Sequence, residues 1–116
     1  MHTHAYIVLM TLETEMTHLF DLMDSKFFKS LGEPVRIEIL KLLMTKGESD
    51  VGALAAMLPQ DRSVISRHLA NMEEAEIVTA RKDGRHVFYS LKGDQFVGRF
   101  EDIVKTIKSC VELRCC

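Results

Sequence analysis

The chain has no cysteine before residue 110, only two prolines, and no lysine or arginine among its first 25 residues. Nor does any apolar run approach the ~18 residues that a membrane span needs. Each shortage excludes something. The apolar run at residues 5–10 is too short for a signal-peptide core and has no small-residue cleavage site behind it. An odd number of cysteines, confined to Cys110, Cys115 and Cys116, does not make a secreted disulfide scaffold, and the expected compartment is the reducing cytoplasm. With Pro34 and Pro59 the only prolines and no internal repeat, 116 residues at 47% hydrophobic and 28% charged suit a single compact domain. No Ser/His/Asp order, phosphate loop or paired carboxylates in a pocket-like context stands out, so no enzyme is expected.

The net charge of −2 hides an asymmetry. Glu13, Glu15, Asp21 and Asp24 face no basic residue in the first 25, whereas residues 81–92 hold Arg81, Lys82, Arg85 and Lys92 against Asp83 alone. A local basic patch matters more for phosphate binding than the whole-chain sum.

Apolar periodicity predicts the elements. Leu9, Leu12, Met16, Leu19, Phe20 and Met23 recur at helical spacing over about residues 5–24, and a short helix carrying Phe27, Phe28 and Leu31 follows. Pro34 suits the first position of a helix over about residues 35–45, with Gly47 at its exit. Ser49 or Asp50 caps a helix with Val51, Leu54, Ala55 and Leu58 on one face, stopped by Pro59. After a tight turn, Ile65, Leu69 and Met72 form a narrow apolar stripe, with Arg62, Ser63, Ser66, Arg67 and Asn71 on the other faces. Residues 50–75 therefore read as a helix-turn-helix.

From Ile77 the period changes to two. Runs at residues 77–82 and 85–91 flank Asp83-Gly84, a strong hairpin signal, so residues 77–91 read as a basic wing. Phe96, Phe100, Ile103, Val104, Ile107, Cys110 and Val111 mark a last helix over about residues 94–111, followed by a cysteine-bearing tail at residues 112–116. The expected class is α-rich α+β, a winged helix-turn-helix with a two-stranded hairpin. The first and last helices carry more apolar surface than so small a core needs, which reads as a homodimer interface.

Ser66-Arg67-His68-Leu69, the helix before it, the run from Gly84 to Leu91, and Leu31-Gly32-Glu33-Pro34-Val35-Arg36 together resemble the ArsR/SmtB winged-helix repressors. The resemblance covers about residues 25–112. It implies a homodimeric repressor that a metal or metalloid ligand loosens from double-stranded operator DNA. This chain departs from the family pattern in three places. The family's thiol motif Glu-Leu-Cys-Val-Cys-Asp-Leu falls on residues 48–54, where Asp50 and Gly52 replace the cysteines. The zinc sensors' histidines on the last helix are missing, since no histidine follows His86. Glu76 stands where relatives have the glycine that closes the recognition helix, at a cost of up to ~1–2 kcal/mol if the left-handed conformation is kept.

Arg62, Ser63, Ser66, Arg67 and His68 are the expected DNA-reading residues of the helix. Arginine can bond guanine edges in pairs, hydroxyls reach phosphates or base edges, and Val64 can meet a thymine methyl. Arg81, Lys82 and Arg85 are the expected phosphate contacts of the wing; a bland alternative is an edge hairpin guarded by its charges. Cys110, Cys115 and Cys116 are the expected ligands, because clustered thiolates suit a thiophilic trivalent arsenic or antimony inducer. On a continuous helix, five residues turn by ~140° and climb ~7.5 Å, so Cys110 meets the other two only if the chain uncoils after about Val111. Alone, Cys110 reads as a small core residue. Zinc would need a fourth ligand such as His2 or His4. Two other functions fit the same scaffold: a thiol redox or reactive-sulfur sensor, and a winged helix used for protein contacts.

Overall fold

The computed structural model describes the backbone of residues 2–115 and the side chains of residues 3–114. In chain order the elements are α1 (His2–Met23), α2 (Lys26–Ser30), α3 (Pro34–Lys46), β1 (Ser49–Asp50), α4 (Val51–Ala56), α5 (Arg62–Glu74), β2 (Val78–Asp83), β3 (His86–Leu91) and α6 (Gly93–Cys115). The chain divides into two compact units, residues 26–96 and a helical unit of residues 1–25 with 97–116.

Local chemistry sets the element ends in the unit of residues 26–96. Pro34 opens α3, and Gly47 leaves it at φ +78°, its N–H bonding the Leu43 carbonyl at 2.9 Å. Asp50 caps α4 by accepting from the Ala53 N–H at 2.7 Å. That helix ends at Ala56, before the apolar spacing does, because the N–H groups of Met57 and Leu58 bond back only three residues, to the carbonyls of Leu54 and Ala55. α5 closes in a full Schellman arrangement: the Ile77 N–H reaches the Met72 carbonyl at 2.9 Å, and the Glu76 N–H reaches the Glu73 carbonyl at 3.0 Å. Glu76 sits at φ +63°, so the left-handed conformation is kept with a side chain that glycine would spare.

The sheet has the order β1-β3-β2, all antiparallel. Two expectations change here. The wing has a third strand, β1, whose Ser49 and Asp50 pair with Tyr89 and Phe88; two residues are too few to show a period. The hairpin loop is Gly84-Arg85, one residue later than Asp83-Gly84, because Asp83 is the last paired residue and faces His86. Gly84 alone of the two loop residues has positive φ, +61°, which is the type II′ pattern with glycine first. The core gathers Phe27, Ile39, Leu43, Leu54, Ile65, Leu69, Met72, Ile77 and Val78, all at most 3% exposed.

In the helical unit, α1 and α6 run antiparallel. His18 Nε2 lies 3.5 Å from Asp102 Oδ2, while Val8 near the start of α1 shares a cleft with Glu112 and Leu113 near the end of α6. Val8, Leu12, Leu19 and Leu22 of α1 are half-buried. Val97, Phe100, Val104, Ile107 and Val111 of α6 recur at alternating spacings of three and four and remain 39% to 55% exposed. α6 is longer than its apolar pattern suggests. It stays helical to Cys115 in place of a tail that leaves the helix after Val111.

Candidate nucleic-acid interface and thiol cluster

α5 is held by its fully buried stripe of Ile65, Leu69 and Met72, and this turns Arg62, Ser63, Ser66 and Arg67 outward together. Offsets of one, four and five residues put those four on one exposed side. Val64 is half-buried. His68 differs from its four neighbours. It too is half-buried, and its Nδ1 accepts a bond from Arg36 Nε at 3.1 Å. Burial first, then the nearby Arg36 charge, holds the imidazole below its ordinary pKa.

On the wing, Arg81, Lys82 and Arg85 are all exposed, but only Arg85 sits in the loop. Arg81 is engaged within the protein. Its Nη2 and Nε reach the Glu48 carboxylate at 2.7 and 3.3 Å, its Nη1 lies 3.7 Å from Asp83, and its guanidinium stacks 4.8 Å over the Phe88 ring. The bond from Arg81 holds the Glu48 carboxyl below its usual range. Register explains the grouping, since Arg81 lies opposite Phe88 and Asp83 opposite His86 on one face of the hairpin.

Asp50 couples the wing to the helix-turn-helix. One oxygen caps α4, and the other lies 2.9 Å from His86 Nδ1. The Ala53 N–H chiefly, with help from His86 and the nearby Arg62, lowers its pKa. Arg36, Glu48 and His86 had no place in the sequence-derived interface. Their partners lie 32 to 36 residues away along the chain, beyond any local pattern.

Of the cysteines, Cys110 is a half-buried free thiol in a cleft of about 200 Å³ with Leu12, Met16, Leu19, Phe20, Val111 and Arg114. The Cys115 side chain and the whole of Cys116 lie outside the described residues, as does the side chain of His2. Among the described residues, no three His, Cys, Asp or Glu side chains are grouped to hold a metal ion, and no helix is long and apolar enough to cross a membrane.

Residues 33–80, from the start of α3 into β2, match the family model described as bacterial regulatory protein, arsR family. An uncharacterised HTH-type transcriptional regulator of Methanocaldococcus jannaschii is 36% identical over 83 residues, covering 72% of this chain and 89% of the relative. The arsenical resistance operon repressor of Escherichia coli is 39% identical over 70 residues, 60% of each chain. Among solved structures, the homodimeric winged helix-turn-helix DNA-binding domain of a possible ArsR-family regulator from Mycobacterium bovis superposes with a TM-score of 0.60 at 27% identity, covering 79% of this chain and 82% of that one. The outward face of α5, the β1-β3-β2 wing and these likenesses agree: the chain belongs to the ArsR family of bacterial regulatory proteins, DNA-binding transcriptional repressors of winged helix-turn-helix build.

Proposed function

We propose that this protein represses transcription as a homodimer on double-stranded operator DNA, and that a trivalent arsenic or antimony species bound by Cys110, Cys115 and Cys116 releases it. Arg62, Ser63, Ser66 and Arg67 read the major groove, and Lys82 and Arg85 hold phosphates. The apolar stripes left open on α1 and α6 form the dimer surface, in keeping with the homodimeric Mycobacterium bovis relative.

The observation that carries the inducer assignment is the placement of Cys110. It is a free thiol inside the α1–α6 cleft, one helical stretch before two further thiols, in a chain similar to an arsenical resistance repressor. Binding exchanges three As–O bonds of arsenous acid for three As–S bonds and releases three waters, with arsenic trivalent throughout. Because α6 is helical to Cys115, one chain gathers its thiols only by unwinding the last turn. That requirement gives the ligand different affinities for two conformations, the condition for a ligand to shift an equilibrium.

The test is arsenite titration of the reduced protein–operator complex, with each Cys→Ser variant alongside. Release by arsenite in the wild type, and its loss in Cys110→Ser, is the expected result. An operator affinity untouched by arsenite overturns the inducer assignment, and release by mild oxidant alone assigns the signal to thiol oxidation instead.

A further inference from the structure

The Arg36–His68 bond has a consequence for how the recognition helix meets DNA. Arg36 is a residue of α3 whose Nη1 also donates to the Ser30 carbonyl and to Ser30 Oγ, each at 3.1 Å. Ser30 ends α2 and is 4% exposed. The guanidinium is therefore held by three hydrogen bonds, two from Nη1 to Ser30 and one from Nε to His68 of α5. Arginine keeps all its protons and has no lone pair to offer, so the 3.1 Å contact requires His68 Nδ1 to be the acceptor. The remaining ring proton is then on Nε2.

We infer that Arg36 is a positioning residue for DNA recognition: it holds His68 as the neutral Nε2–H tautomer, so that α5 presents an oriented hydrogen-bond donor at this position and not a titrating cation. The inference rests on the DNA-binding reading of α5. A neutral ring suits its place, because the charged groups acting on it are Arg36 of α3, Glu33 just before that helix and Arg67 from its own helix, and two of the three are cations. A second proton on His68 would break the bond to Arg36 and set a half-buried cation beside another. The chemical class of the DNA partner follows: an acceptor, either a phosphate oxygen or a guanine or adenine N7.

Two measurements on the full chain decide this. Long-range nitrogen–proton spectra of the imidazole rings should show His68 protonated at Nε2 alone and still mostly neutral at pH 6.5. A proton on Nδ1, or half-ionisation at that pH, overturns the inference. The second measurement uses a duplex selected from a random-sequence pool by the wild-type protein. His68→Leu should bind it about fivefold more weakly, the worth of one hydrogen bond, with the salt dependence unchanged. A salt slope lower by about one would mark a lost cation and overturn the neutral-donor assignment. Arg36→Met, where it folds, removes one of the two main causes that hold the His68 pKa down, so the ring should titrate at a higher pH than in the wild type. Binding measured relative to the wild type, which shares the other histidines, should then strengthen as pH falls from 7.5 to 5.5. A pool that yields no duplex sinks the DNA reading itself, while the spectrum still judges the bond.

Discussion

Asp50 and His86 are joined at 2.9 Å across 36 residues of sequence, and the same carboxylate caps α4 through the Ala53 N–H. A single side chain thus ties the central strand of the wing to the first helix of the helix-turn-helix. Asp50→Ala should lower the melting temperature by about 4 °C or more, because it removes a helix cap and the side-chain hydrogen bond to His86 together. Asp50→Asn, which keeps a capping oxygen, and His86→Ala should each cost less than half of that in the same thermal melts. Equal losses in all three variants would count against the division of labour between the two oxygens.

Glu76 offers a gain. At φ +63° it occupies a conformation natural to glycine, inside an otherwise complete Schellman arrangement. Glu76→Gly is expected to stabilise the fold by about 1 kcal/mol, read as a higher urea midpoint with an unchanged slope.

The basic residues of the interface should separate by role. Arg67→Ala and Arg85→Ala should weaken DNA binding and lower its salt slope by about one wherever the side chain meets a phosphate. Arg81→Ala should leave the slope nearly intact, because Glu48 and Asp83 already neutralise that cation. Binding titrations at several salt concentrations check all three.

Val104 and Ile107 sit in the exposed α6 stripe, 49% and 42% exposed. Val104→Glu or Ile107→Glu should yield a monomer in sedimentation while the circular dichroism of the chain is preserved, since neither side chain belongs to the buried core. A dimer that survives both substitutions would place the subunit contact elsewhere.

His68 predicts a pH trend in stability. Its folded-state pKa lies below the ordinary 6.5, so above pH 6.5 the ring is neutral in both folded and unfolded chains and its contribution is fully present. As pH falls below 6.5 the unfolded chain takes up a proton that the folded chain resists, and that contribution is lost as pH drops through the folded value. Denaturation curves of the wild type and His68→Leu should therefore converge toward lower pH.

Much of the fold was legible because it is local. Pro34, Gly47 and Asp50 mark helix ends by their own conformational preferences, and the Ile65, Leu69 and Met72 stripe announces which side of α5 faces out. β1 escaped notice because two residues carry no period, and the hairpin loop slipped by one because Asp83-Gly84 and Gly84-Arg85 both offer a glycine to a tight turn. The candidate interface divided along the same line. Exposure of Arg62, Ser63, Ser66 and Arg67 follows from helical spacing alone. The capture of Arg81 by Glu48 and of His68 by Arg36 depends on contacts over 33 and 32 residues, which no local pattern encodes.

The two-residue loop at the wing tip has one more consequence. Gly84-Arg85 closes between the paired Asp83 and His86, so the backbone beneath Arg85 is already fixed before any partner arrives. A cation on a long flexible loop gives up backbone as well as side-chain freedom when it settles on a phosphate, roughly 1–2 kcal/mol for each residue ordered. Arg85 gives up only its own rotamers. Lengthening this loop with glycine and serine would leave the charge and its reach in place and still weaken the grip, and the loss would appear as entropy in calorimetry.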